Sequence, residues 1–204
     1  MSRSESEPDQ VDLAAQLAVH RERLTKMVRF RMDKRIRGRV DPSDVVQEAC
    51  LEAIRRFDKY CEDEKMPFYV WLRFLTVQQL QIAQRKHLAF QVRSVGREVS
   101  LNAGGSLSSD VGVLAEALSA SITSPSRALA AKELRERLVS ALESLDDKDR
   151  EILALRHFEQ LNTLESAQVL GISEGLASTR YGRALRKLMA IMKSQVGSES
   201  EFYL

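Results

Sequence analysis

Several residue types that would build other kinds of protein are scarce in this 204-residue sequence. There are two cysteines, Cys50 and Cys61. They form no CxxC pair and have no histidine at ligand spacing, which argues against a disulfide framework or a zinc site. Cys50 falls on an apolar helix face and reads as a small buried residue. Four prolines, nine glycines and 6% aromatic residues favour helices over a sandwich of short strands, and no apolar–polar alternation of strand type is seen. No apolar run approaches the roughly 20 residues of a membrane span. The polar start MSRSESEPDQ lacks an apolar signal core, so no membrane insertion and a cytoplasmic location are expected. There is no GxxxxGK[ST] phosphate-binding loop. The three histidines (His20, His87, His157) are scattered, and no Ser/His/Asp or paired-carboxylate arrangement stands out. The expectation is a non-enzyme with no catalytic residues, no cofactor and no metal. Net charge is only +2, so nucleic-acid binding must be sought in how charge is distributed.

What remains is a globular composition, 44% apolar and 29% charged. After a polar start, residues 1–11, expected to be mobile, Leu13, Leu17, Leu24, Val28 and Ile36 recur at helical spacing. Between Arg21 and Arg39 lie nine Lys or Arg residues against two acids, Glu22 and Asp33, which reads either as a solvated face or as a contact with a polyanion. Asp41-Pro42-Ser43-Asp44 is a helix start, because Asp41 or Ser43 can cap and Pro42 suits the first turn. The following helix, about Asp44 to Phe57, places Val45, Val46, Ala49, Cys50, Ala53, Ile54 and Phe57 on one face. A polar loop, Asp58 to Pro67, leads to a longer helix from about Phe68 to Leu88. Residues 91–127 contain the stretch NAGGSLSS and read as a flexible linker with a brief helical turn at Val113 to Leu118. A second helical unit follows, so the fold expected is all-α, two small helical domains at 12–90 and 128–193, with a tail at 194–204.

The sharpest pattern lies between Thr163 and Met192: helix, tight turn, helix. Asn162 or Thr163 can cap the first helix, Gly171 permits a positive φ at its end, and Ser173 caps the second. Ala177, Tyr181, Leu185 and Leu188 pack inward. Arg180, Arg183, Arg186, Lys187 and Lys193 point elsewhere, against the single acid Glu174. Such a cationic second helix can enter the major groove of DNA.

The run from Leu145 to Leu161 (LDDKDREILALRHFEQL), followed by Ala167 to Ser173 and Arg180 to Leu188, resembles region 4 of the sigma-70 family. Asp44 to Tyr60 (DVVQEACLEAIRRFDKY) followed by Phe68 to Leu72 resembles region 2. Both in this order, joined by a linker with no region 3 between, resemble the extracytoplasmic-function group of RNA polymerase sigma factors. The resemblance spans roughly residues 12–90 and 128–193.

It implies a DNA-templated transcription initiation factor. Its partners would be core RNA polymerase, through the β′ clamp helices and the β flap, promoter DNA, and an anti-sigma protein such as the family often uses. Asp44, Gln47, Glu48 and Leu51 match the polymerase-docking helix. Lys59, Tyr60, Arg73, Gln78, Arg85 and Lys86 are candidates for the melted −10 strand, with Trp71 assigned to the core. Ser178, Thr179, Arg180 and Arg183 would read the −35 element, with Arg186 and Lys187 on phosphates. The sequence departs from the family at Ser178, where a basic residue is common, and at Ser166, where a bulky aliphatic one is. Val77 and Ile82 also stand where polar residues are frequent. The main rival is a stand-alone helix-turn-helix regulator whose N-terminal domain dimerises.

Overall fold

The computed structural model describes residues 7–63, 66–95, 110–120 and 128–200, and every regular element among them is helical. Expectations that fall on residues 1–6, 64–65, 96–109, 121–127 and 201–204 lie outside the described residues. The chain divides into two compact units, residues 1–108 and 109–204.

The first unit is built from α1 (Glu7–Arg31), α2 (Pro42–Asp63) and α3 (Phe68–Val95). The helical stripe of α1 is its buried side: Leu13, Leu17, Leu24 and Val28 all lie in the core, as does Ile36 in the following turn. They meet Val45, Val46, Ala49 and Ala53 of α2 and Leu72, Leu75 and Leu80 of α3. Each large side chain so buried contributes about 1.5–3 kcal/mol relative to exposure. Short connections make the helices run up, down and up, which brings the end of α1 beside the second half of α3. The amide of Gln84 donates to the carbonyl of Arg31 at 3.3 Å at one pole. Towards the other, the His20 ring lies 5.1 Å from that of Tyr69. Pro42 occupies the first turn of α2, and the Asp41 carboxylate accepts the Ser43 N–H at 2.8 Å.

The second unit comprises α4 (Val111–Ala120), α5 (Ala128–Glu143), α6 (Asp147–Leu153), α7 (Thr163–Leu170) and α8 (Glu174–Ser200). Helix α6 runs directly into a π-helical stretch, Ala154–Phe158. There the Glu159 N–H reaches back five residues to Ala154 at 2.9 Å. Leu138, Ala141, Leu142, Leu145, Ile152, Leu153, Leu155 and Leu161 form the centre of this unit.

Several expected boundaries differ from those observed. Helix α1 begins at Glu7, within the stretch read as mobile. Helix α2 runs to Asp63, so Lys59 and Tyr60 are helical rather than in a loop; the Tyr60 ring stacks on Trp71 at 4.4 Å and its hydroxyl donates to Met66 O at 2.9 Å, which ties down the last turn. The expected linker 91–127 begins with four more residues of α3 beyond Gln91 and contains α4, whose Leu114, Ala115 and Leu118 are buried against α5 and the π-helical stretch. Helix α8 continues to Ser200, through part of the expected tail.

Candidate nucleic-acid interface

In the second unit α7 and α8 form the helix-turn-helix. Asn162 and Glu165 make a reciprocal capping box: the Asn162 side chain accepts the Glu165 N–H, and the Glu165 carboxylate accepts the Asn162 N–H, each at 2.8 Å. Gly171 closes α7 in the left-handed region with φ 64°, the conformation a side chain disfavours. Ser173 Oγ then accepts the Leu176 N–H at 3.3 Å and starts α8. Ala177, Ala184 and Leu188 are the buried side of α8, while Tyr181 and Leu185 are half-buried. Ser178 and Thr179 are exposed in the second turn, next to the half-buried Arg180.

Helix α8 is fastened to α6 by charge. Asp149 is fully buried and receives Lys187 Nζ and, at 3.3 Å, an Arg183 guanidinium N–H. Lys187 also donates to Asp146 Oδ2 at 3.0 Å. Asp146 is the N-cap of α6, accepting the Asp149 N–H at 2.8 Å. That backbone bond, and then the Lys187 ammonium, hold the Asp146 carboxyl down to about 2, while burial opposes them. The same carboxylates raise Lys187 above the usual lysine range. Beside this lock, the His157 ring in the π-helical stretch meets the Tyr181 hydroxyl at 3.0 Å, and the Arg156 guanidinium lies 5.3 Å from the centre of the Tyr181 ring. Burial and then Arg156 push His157 below its usual range, which favours the neutral imidazole in this contact.

In the first unit α2 presents Asp44, Gln47, Glu48 and Leu51 outward, all exposed. Ile54, expected in the core, is 56% exposed. It is rotated past the edge of the buried stripe set by Val46, Ala49 and Ala53, and extends the apolar part of this outer face next to Leu51. Aromatic rings gather where α2 ends and α3 begins: Phe57, Tyr60, Phe68 and Trp71.

A family model described as Sigma-70, region 4 matches residues 141–190, which contain α6, α7 and most of α8. The chain is 28% identical over 156 residues to the RNA polymerase sigma factor CnrH of Cupriavidus metallidurans, covering 74% of this chain and 73% of that protein. It is also 28% identical over 148 residues to the ECF RNA polymerase sigma-E factor of Escherichia coli, covering 71% and 70%. The matched segment, residues 141–190, belongs to the sigma-70 region 4 family. The chain's relatives are extracytoplasmic-function members, and its function is that of a sigma factor in transcription initiation. A solved structure of CnrH in complex with the cytosolic domain of CnrY aligns with a TM-score of 0.49 and 22% identity, covering 91% of this chain and 90% of that one. No described helix of this sigma factor is long and apolar enough to cross a membrane.

The candidate residues named from the sequence of this sigma factor sort unevenly. Asp44, Gln47, Glu48 and Leu51 form one continuous outer strip of α2. The six −10 candidates do not form one site. Arg73 is only 6% exposed, because its position on α3 lies between the core residues Leu72 and Leu75. Tyr60 has one ring face on Trp71 and its hydroxyl on a backbone carbonyl. Trp71, assigned to the core, is half-buried in that stack. Lys59 is exposed and Gln78 is half-buried, while Arg85 and Lys86 lie exposed in the second half of α3. Trp71 and Arg85 are 14 residues apart on one helix, about 21 Å. Of the −35 candidates, Ser178, Thr179, Arg180 and Arg186 keep their polar groups outside the α6 lock, whereas Lys187, expected on phosphate, is held by two carboxylates and Arg183 by one. Sequence reasoning missed this lock. Its signal is the acidic run Asp146-Asp147-Lys148-Asp149, which reads in isolation as a helix start. It also missed Phe74, 54% exposed on the outer side of α3 together with Ile82.

Proposed function

We propose that this sigma factor divides promoter recognition between its units. The first docks on core polymerase with the outer strip of α2 and holds the melted −10 strand along α3. The second reads the −35 duplex with the start of α8. The observation that carries this is the helix-turn-helix geometry, in which capped and turn-closed α7 aims an α8 whose exposed early residues, Ser178 and Thr179, are followed by Arg180 and Arg186. Side chains near the start of a recognition helix reach base edges, and later cations fall on phosphates.

The strip Asp44, Gln47, Glu48 and Leu51 supports the docking role. It pairs acidic and amide groups with an exposed aliphatic contact, continued by Ile54, on a helix whose other side is fully committed to the core. The β′ clamp helices are the partner that the family resemblance supplies for it, and the β flap for the second unit. Neither unit needs strong DNA affinity alone, because polymerase holds both on one promoter and raises their effective concentration.

Run-off transcription with purified core polymerase tests the whole reading. Promoter-dependent transcripts are expected from the wild-type chain, and their loss from Arg180→Glu. Leu51→Asp is expected to lose core binding in a pull-down while leaving the fold intact. Specific DNA binding by the chain alone with no affinity for core would instead favour the stand-alone regulator.

A further inference from the structure

In the run Asp146-Asp147-Lys148-Asp149 at the start of α6, the fold removes Asp149 from solvent and leaves the other three exposed. Both of its carboxylate oxygens are taken by cations of α8. Oδ1 accepts from an Arg183 guanidinium N–H at 3.3 Å, and Oδ2 accepts from the Lys187 ammonium. The two cations are themselves at the surface, with side chains 52% and 44% exposed. Thr179, Arg183 and Lys187 recur every four residues and so follow one side of α8. Arg183 and Lys187 stand about 6 Å apart along it, one and two turns beyond Thr179.

The carboxylate that holds these cations cannot follow them outward. The Asp149 N–H is bound to the Asp146 side chain at 2.8 Å in the first turn of α6. Helix α6 is clamped in turn to the end of α5 by Arg150. Its guanidinium donates to the carbonyls of Leu142, Glu143 and Leu145 at 3.2, 3.2 and 2.7 Å, and it also pairs with Asp147. Ile152 and Leu153, one turn on, are wholly buried. A buried carboxylate stripped of its partners has no water to replace them, so separating the pair is strongly unfavourable. A DNA phosphate is solvated and screened by salt. In the competition for Arg183 and Lys187, Asp149 therefore outweighs phosphate. Arg180, Arg186 and Lys193 have no acid partner among the described residues and stay available.

We infer that Asp149 is a positioning residue that limits how strongly α8 grips DNA of any sequence, by withholding Arg183 and Lys187 from the phosphate backbone. It rests on the reading that α8 meets the −35 duplex. Phosphate contacts hold a helix on the duplex but carry no sequence information. Asp146 also receives Lys187, at 3.0 Å, but its side chain is 54% exposed and a phosphate can displace it at little cost. The buried carboxylate is therefore the one that decides. With two cations withheld, engagement depends on the side chains at the start of α8 and on the polymerase that brings both units to one promoter. The second unit stays off DNA to which polymerase has not delivered it.

The test uses the full chain, alone and bound to core polymerase, on two duplexes. One is the −35 half of a promoter that the holoenzyme transcribes, and the other holds the same base pairs in scrambled order. Asp149→Asn is isosteric, and Asp149→Leu fills the site without a buried polar group. Each releases two cations, which steepens the log–log salt slope by about 1.8, at about 0.9 per phosphate contact. From about 50 to about 200 mM salt each variant should therefore lose roughly 12-fold more affinity than wild type, on both duplexes alike. The variant Asp149→Asn/Arg183→Gln/Lys187→Gln should return to the wild-type slope, which removing a merely structural ion pair would not do. Wild-type slopes in both single variants overturn the inference. A steeper slope that persists in the triple variant overturns it too, as does weaker binding by all three. A wild-type holoenzyme that does not distinguish the two duplexes overturns the −35 reading itself, and the inference with it.

Discussion

Asp146→Ala is a perturbation that isolates how the recognition helix is fixed. The Asp146 carboxylate caps α6 through the Asp149 N–H and reaches Lys187 on α8. Its pKa falls from 3.8 in a free side chain to about 2 in the fold. Unscreened, that difference is worth about 2.5 kcal/mol. The side chain is 54% exposed, so water and salt screen the interaction and about 1 kcal/mol is expected, within the range measured for lost N-caps. Because the folded-state pKa is the lower one, this stability is fully present above pH 4 and is lost as pH falls through 2. Asp146→Ala should thus destabilise the second unit by about 1 kcal/mol at pH 7, with the gap to wild type closing towards pH 2. Asp146→Asn keeps the capping oxygen but loses the charge on which this pKa-linked stability depends, so at pH 7 it should cost nearly as much as alanine. Urea unfolding read from the amide cross-peaks of α6 at pH 7, 4 and 2 measures all three proteins. An alanine cost independent of pH, or an asparagine variant as stable as wild type at pH 7, would refute the reasoning.

Three further outcomes follow from the same geometry. Ser166 is fully buried with no hydrogen-bond partner for its hydroxyl among the described residues, so Ser166→Ala should stabilise the second unit against urea by about 1 kcal/mol. Leu114 of α4 is fully buried, so Leu114→Ala should cost the second unit about 2–3 kcal/mol, whereas truncating a residue of a flexible linker would cost nothing measurable in thermal unfolding. Arg186→Gln should flatten the salt dependence of −35 duplex binding by about 0.9, whereas Lys187→Gln, whose ammonium is already held by Asp146 and Asp149, should leave that slope unchanged in fluorescence anisotropy titrations.

Much of the architecture was legible because it follows from local chemistry. Leu13, Leu17, Leu24 and Val28 are buried as their spacing requires, since a 3.6-residue period leaves one side of a helix to the core. The helix-turn-helix was legible for the same reason: Asn162, Gly171 and Ser173 each satisfy or release the backbone within a few residues of themselves. Element ends were less so. The last turn of α2 depends on Tyr60 finding Trp71, and α4 exists as a folded part of the second unit because Leu114 and Leu118 find α5. Neither partner is a sequence neighbour.

The sequence by itself determined the helical class, the two-unit order, the capped turn that sets α8, and the outer strip of α2, because periodicity, caps and turn residues act over one or two helical turns. The tertiary structure decided which charges are available. A lysine or arginine looks the same in the sequence whether it meets solvent or a carboxylate. Only the fold brings Lys187 and Arg183 onto Asp149, buries Arg73, and carries Arg85 and Lys86 to the pole occupied by Lys34, Arg37 and Arg39. Electrostatic pairing depends on distances between segments that are far apart along the chain, and those distances are set by how the helices pack.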